Sequence, residues 1–207
     1  MVTLDEVVER WWQAVAQLSH AVRGGGALFV MVQPAFLNQG AEREPFQAAD
    51  LQRLLPFVDY LMLMTYHAYG GAQPQAPAAT APLAWMAASL NHVLPPEQRE
   101  DAAARGKLLL GLPFYGHEFP AHAPPRAVLA HDVLARLAEH RADAAFHWDV
   151  AARERRLHFA AADGSRTTVY YPTLKFLADR LELCQELGVG VGIWELGQGM
   201  DYFFDLL

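Results

Sequence analysis

The sequence predicts an α/β chain, a parallel sheet of strands alternating with helices, interrupted late by a small antiparallel α+β insertion. Three observations predict it. Apolar runs of strand length at 27–32, 58–64, 107–113 and 189–194 are bulky enough to be buried on both faces, as parallel strands are. Segments with helical spacing stand between them. Short β runs at 145–149, 157–161 and 167–171 precede the last apolar run, the final two joined around Asp163-Gly164, a strong hairpin signal.

The elements follow in order. Residues 3–22 place Leu4, Val7, Val8, Trp11, Val15, Leu18 and Val22 on one helical stripe, opened by a Thr3/Glu6 capping box and closed by Gly24-Gly25-Gly26. Because these glycines follow a helix, they read as its end and not as a phosphate loop. The run at 27–32 is the first strand, broken at Gln33-Pro34. Residues 46–55 form a helix that stops at Pro56, and 58–64 is the second strand. It delivers Thr65, Tyr66, His67 and Tyr69 to its carboxyl end before Gly70-Gly71. Residues 73–82, rich in Ala and Pro, read as a surface loop, and Leu83, Met86, Ala87 and Leu90 make the next helix. The third strand ends at Pro113, and a helix is expected over 127–140. Pro172 opens a long helix carrying Leu174, Leu177, Leu181 and Leu187 up to Gly188, the fourth strand follows, and 201–207 closes as a short apolar helix. The expected division is 1–126, an insertion at 127–171, and a closing part at 172–207.

Composition narrows the function. The net charge is −7 and the basic residues are scattered, so the basic footprint of a nucleic-acid or anionic-membrane binder is missing. No apolar run approaches the ~20 residues of a membrane span, and the first residues are acidic and amphipathic, unlike a secretion signal. Cys184 is the single cysteine and reads as a small buried residue, which excludes an internal disulfide or a cysteine metal cluster. His117, Glu118 and His122 miss the helical His-Glu-x-x-His spacing by one residue, and Pro120 breaks any helix there, so no metal is expected. The pairs Glu42/Glu44 and Asp201/Asp205 read as solvated faces, and His131, His140, His147 and His158 lack ligand spacing.

Three strand ends set side by side, LMLMTY (61–66), KLLLGLPFYG (107–116) and GVGIWELGQG (190–199), resemble the later half of the glycoside hydrolase family 18 barrel, the fold of chitinases and chitinase-like lectins. The resemblance implies a partial TIM (β/α)8 barrel, strands five to eight, with the antiparallel insertion between strands seven and eight. It also implies site residues. Where the family's sixth strand ends in Met-x-Tyr-Asp around an acetamido sugar, this chain has Met64, Thr65, Tyr66 and His67, so the acidic position is lost. Trp194 falls at the tryptophan that floors the central sugar site, Glu195 follows it as an acceptor for hydroxyls, and Tyr115 resembles the rim aromatic.

Family hydrolysis uses an Asp-x-x-Asp-x-Asp-x-Glu run whose last glutamate protonates the glycosidic oxygen, with the substrate's acetamido group as nucleophile. No such run occurs here; forcing 4–11 onto it would put Trp11 at the acid. The expectation is therefore binding of chitin or N-acetylglucosamine oligosaccharides without hydrolysis and without a cofactor. The alternatives are an active hydrolase, if a strand-four acid lies upstream, and a protein-interaction module using an open barrel edge for a receptor or partner. The resemblance implies a secretory, lysosomal or extracellular location.

Overall fold

A computed structural model describes residues 4–26, 28–34, 46–68, 76–94, 100–160 and 163–207. The expected Thr3 cap, Ala27, Tyr69 with its Gly-Gly turn, the Glu42/Glu44 pair and the first residues of the 73–82 loop lie outside them.

Among the described residues two sheets form. The first is parallel, in the order β1-β2-β3-β9, from β1 (Val30–Pro34), β2 (Tyr60–Met64), β3 (Leu108–Pro113) and β9 (Gly190–Trp194). Leu61, Leu63, Leu108, Leu110 and Leu112 are fully buried, as the unbroken apolar runs require. Helices α1 (Leu4–Gly24), α2 (Ala48–Leu54), α3 (Leu83–Val93), α4 (Ala102–Gly106) and later α6 (Leu174–Leu187) separate these strands in the chain. The short α4, which the sequence did not announce, is capped by Asp101, whose carboxylate accepts from the Ala103 and Ala104 N–H groups. In α6, Thr173 accepts from the Phe176 N–H at 3.2 Å and Gly188 ends the helix at φ +65°.

The second sheet is antiparallel, in the order β5-β4-β8-β7-β6: β4 (Gly116–Phe119), β5 (Arg126–Val128), β6 (Ala145–Asp149), β7 (Glu154–Ala160) and β8 (Arg166–Tyr170). The β7–β8 hairpin stands where Asp163-Gly164 predicted it, with Gly164 at φ +80°. A 3₁₀ helix, Asp201–Leu206, closes the chain.

Four expectations need correction. The antiparallel layer takes in 116–119 and 126–128 besides the three β runs expected in it. Gly116 permits it, since a Cβ there would collide with the Tyr170 carbonyl oxygen. Helix α5 (Ala130–Glu139) accordingly starts three residues later than expected, where the Leu129 N–H donates to Asp132 at 2.9 Å. Pairing in β1 runs through Pro34 opposite Met64 instead of breaking at Gln33; β1 pairs on one side only, and an outer strand tolerates a residue without an N–H. Finally, Thr80 and Ala81 of the supposed surface loop are buried.

On α1 the face that packs is turned away from the expected stripe: it takes in Trp12 and Ser19, which lie off the stripe, and Val15, which lies on it. Trp12 and Val15 are buried while Val7, Trp11 and Leu18 stay exposed, and Arg53 lies 4.1 Å over the Trp12 ring.

Candidate saccharide site

The carboxyl ends of β2, β3 and β9 meet at one corner. Parallel pairing with matched register brings them there: Leu63 lies beside Leu110, and Pro113 beside Trp194. Thr65, buried at the end of β2, donates its hydroxyl to the Gly111 carbonyl at 2.9 Å and so ties β2 to β3. The Phe114 N–H donates to the Trp194 carbonyl at 2.8 Å and ties β3 to β9. The Tyr171 hydroxyl donates to the Gln198 carbonyl at 3.0 Å, holding the loop that leaves β9.

Of the six residues singled out, three come into ring contact. Tyr66 lies nearly parallel to Trp194, 28° between planes with centroids 6.3 Å apart, and meets Tyr115 edge to face at 6.2 Å. Tyr66 and Tyr115 are buried; Trp194 is 44% exposed and offers a free ring surface. The Trp194–Glu195 peptide bond is cis. Glu195 is exposed beside it, and Met64 is half-buried against the core. The Tyr66 hydroxyl is shielded from solvent without a hydrogen-bond partner among the described residues. Burial pushes its pKa up to about 12, so it is a neutral donor. Burial, then the neighbouring Tyr66, pushes Tyr115 higher still.

His67, exposed and in left-handed backbone at φ 66°, takes the direction opposite to the tyrosines. Its ring lies 5.0 Å from His117, which sequence reasoning weighed only as a metal ligand. His117 is buried at 4% exposure, and its Nδ1 is 3.2 Å from the Thr80 hydroxyl. Burial, then His67, holds His117 down to about 4, and burial lowers His67 as well, so both imidazoles are neutral near pH 7. The missed signal was the period of two in Tyr115, His117 and Phe119, which sends alternate side chains to one face of an extended segment. Their rings follow one another at 5.2 and 6.4 Å.

Beneath the corner lies a buried polar knot. Glu154 accepts from the Thr80 N–H at 3.0 Å and from the Ala81 N–H at 2.6 Å, which is why that loop turns inward. Arg180, fully buried, lies 3.5 Å from Glu154 and donates to the carbonyls of Ala81, Ala152, Arg153 and Phe176. Burial raises the Glu154 pKa, against the pull of Arg180 and the two backbone donors, and lowers Arg180 to about 10. Glu118, also fully buried, pairs with Arg126 and Arg136. Both carboxylates are bound to framework donors. Residues 4–11, the stretch nearest to the acidic run, lie in α1.

Comparison with known proteins agrees with this architecture. The model of the glycosyl hydrolases family 18 matches residues 5–199. A chitinase from Chromobacterium violaceum aligns at 25% identity and a TM-score of 0.75, over 95% of this chain and 59% of its own. The spore cortex-lytic enzyme SleL of Bacillus cereus aligns at 18% identity and a TM-score of 0.75, over 96% of this chain and 44% of its own. The group IV chitinase of Ostrinia furnacalis, solved with allosamidin, aligns at 18% identity and a TM-score of 0.65, over 92% and 56%. The chain thus spans roughly half the length of these structures, as a partial barrel.

Proposed function

Because the chain belongs to glycosyl hydrolase family 18, we propose that it binds N-acetylglucosamine-containing oligosaccharides at the corner formed by Met64, Tyr66, His67, Tyr115, Trp194 and Glu195, without cleaving them. The observation that carries this reading is the exposed Trp194 ring lying over Tyr66 at the strand ends. An aromatic face packs the axial C–H groups of a pyranose, while hydroxyl and acetamido groups need donors and acceptors at its border. Tyr66 holds a shielded hydroxyl without a hydrogen-bond partner among the described residues, Glu195 an exposed carboxylate, and His67 a neutral imidazole able to donate or accept.

Absence of hydrolysis is the second part of the proposal. A general acid has to reach the leaving oxygen at hydrogen-bond distance. The family's acidic run does not occur in the 207 residues, and His67 stands at the acidic position of the sixth-strand motif. An acid contributed by sequence beyond these residues would convert binding into hydrolysis, and release of reducing ends from a chitooligosaccharide reads that outcome directly. Within the family we place the chain nearest the chitinase domain-containing protein 1 group, on 81–86 and 171–207, and with it a secretory, lysosomal or extracellular location.

A partner protein at the open side of the barrel is the second reading. It is favoured by the exposed Leu28, Val30 and Val32 on and beside the outer strand, and by the exposed Val7, Trp11 and Leu18 of α1.

The deciding experiment is titration of chitotetraose against the chain, followed by tryptophan fluorescence and calorimetry, with Trp194→Ala as comparison. The expected result is saturable binding that Trp194→Ala weakens by at least roughly tenfold. Equal binding by both proteins would remove Trp194 from the site, and no binding by either would move the partner-protein reading to the front.

A further inference from the structure

The rings of the strand-end corner do not stop at Tyr115. They continue through His117 to Phe119, each step between 5.2 and 6.4 Å from Tyr115 onward, and Phe119 lines an open pocket of about 580 Å³ at the tip of the antiparallel sheet. Its walls come from three places: Pro77 in the loop after β2, Pro120 to Pro125 in the β4–β5 connection, and Arg166 at the start of β8. A volume of this order accommodates a sugar ring. Prolines present rigid C–H surface without N–H donors, and Phe119, 6% exposed, adds an aromatic edge.

The polar side chains lining the pocket are His122 and Arg166. His122 lies 3.5 Å from Asp163 through its Nε2, both side chains being well exposed. Arg166 is exposed at the rim and makes no side-chain hydrogen bond or ion pair among the described residues. A guanidinium is a planar fork that matches one carboxylate through two parallel N–H···O bonds. With one guanidinium free of side-chain partners among the described residues, and the Asp163 carboxylate beside His122, the pocket suits a single negative charge better than a multiply charged phosphate.

We infer that this pocket is a second saccharide subsite, which takes an acidic sugar residue of the uronate class with its carboxylate on Arg166. This rests on the proposal that the Trp194 corner holds an N-acetylhexosamine of the same oligosaccharide. The ring-to-ring row keeps the two places within the span of a short chain, and the loop carrying Pro77 is the one that Glu154 anchors at Thr80 and Ala81.

Calorimetry at constant ionic strength tests it with two probes, chitotetraose and the tetrasaccharide of alternating glucuronate and N-acetylglucosamine. The proteins are the wild-type chain, Arg166→Ala, Arg166→Lys and Trp194→Ala, with melting curves to confirm folding. The wild type is expected to prefer the acidic probe. Arg166→Ala loses that preference, roughly tenfold or more in affinity, with chitotetraose unchanged, and Arg166→Lys restores part of it. If the two probes bind the wild type equally, or if Arg166→Ala weakens both alike, the pocket assignment is overturned while the Trp194 corner stands. If chitotetraose fails to bind but the acidic probe binds through Arg166, the corner is what fails and the acidic site is retained.

Discussion

Replacing Arg180 by methionine probes the knot that supports the candidate site. The side chain is fully buried and lies 3.5 Å from Glu154, itself only 2% exposed. Methionine fills similar apolar space but leaves the Glu154 carboxylate with just its two backbone donors, at 3.0 and 2.6 Å from Thr80 and Ala81. It also strips the Ala81, Ala152, Arg153 and Phe176 carbonyls of a donor. Removing one partner of a buried pair costs about 3–5 kcal/mol, because the other charge stays desolvated. For a chain of this size that is a fall in Tm of about 10 °C. The pH dependence identifies the mechanism. Burial already raises the Glu154 pKa in the fold, and without Arg180 the fold holds that proton more tightly still. A carboxyl group with a raised folded pKa contributes stability that is present below its unfolded pKa and lost as pH rises through the folded value. The Arg180→Met deficit should therefore shrink on acidification, and adding Glu154→Gln should recover part of it at neutral pH. The assay is urea unfolding of the wild type and the two variants across pH 5 to 8. A deficit under about 1 kcal/mol, or one independent of pH, would refute the argument.

The remaining predictions concern the strand ends. Because His117 is held down to about 4, below the 6.5 of an ordinary imidazole, its contribution to stability is complete above 6.5 and is lost as pH falls towards 4, by up to about 3 kcal/mol. His117→Gln should flatten that part of the stability profile, and an unchanged slope would assign the acid sensitivity elsewhere. Gly116→Ala drives a Cβ against the Tyr170 carbonyl and the Tyr171 ring, and should cost about 2 kcal/mol or more in chemical denaturation. Gly24→Ala, with open space around it, should stay within about 0.5 kcal/mol of wild type.

Burial on both faces is visible in a linear string, and that is why the four parallel strands could be read within a few residues. A strand covered by helices on one side and barrel interior on the other carries apolar residues without alternation, as in LMLM and LLLGL. Helix ends were legible for the same local reason: Gly25-Gly26 and Gly188 mark where a helix must turn, and Pro172 lies two residues before the start of α6 at Leu174, which Thr173 caps. Short antiparallel pieces were less so. Gly116–Phe119 and Arg126–Val128 are too brief for a period to declare itself; the first pairs with β8 about fifty residues on, and the second joins the sheet through the first.

By itself the sequence determined the α/β class, the order of strands and the identity of the aromatics at strand ends, because each depends on the polarity pattern of neighbouring residues. Tertiary structure decided that the rings of Tyr66, Tyr115 and Trp194 meet in one cluster and that His117 joins His67. It also decided that Glu154 and Arg180 hold the loop beneath them, 26 positions apart in the chain yet 3.5 Å apart in space. Contacts of that kind are set by sheet register and by desolvation, neither of which is carried by any local stretch of residues.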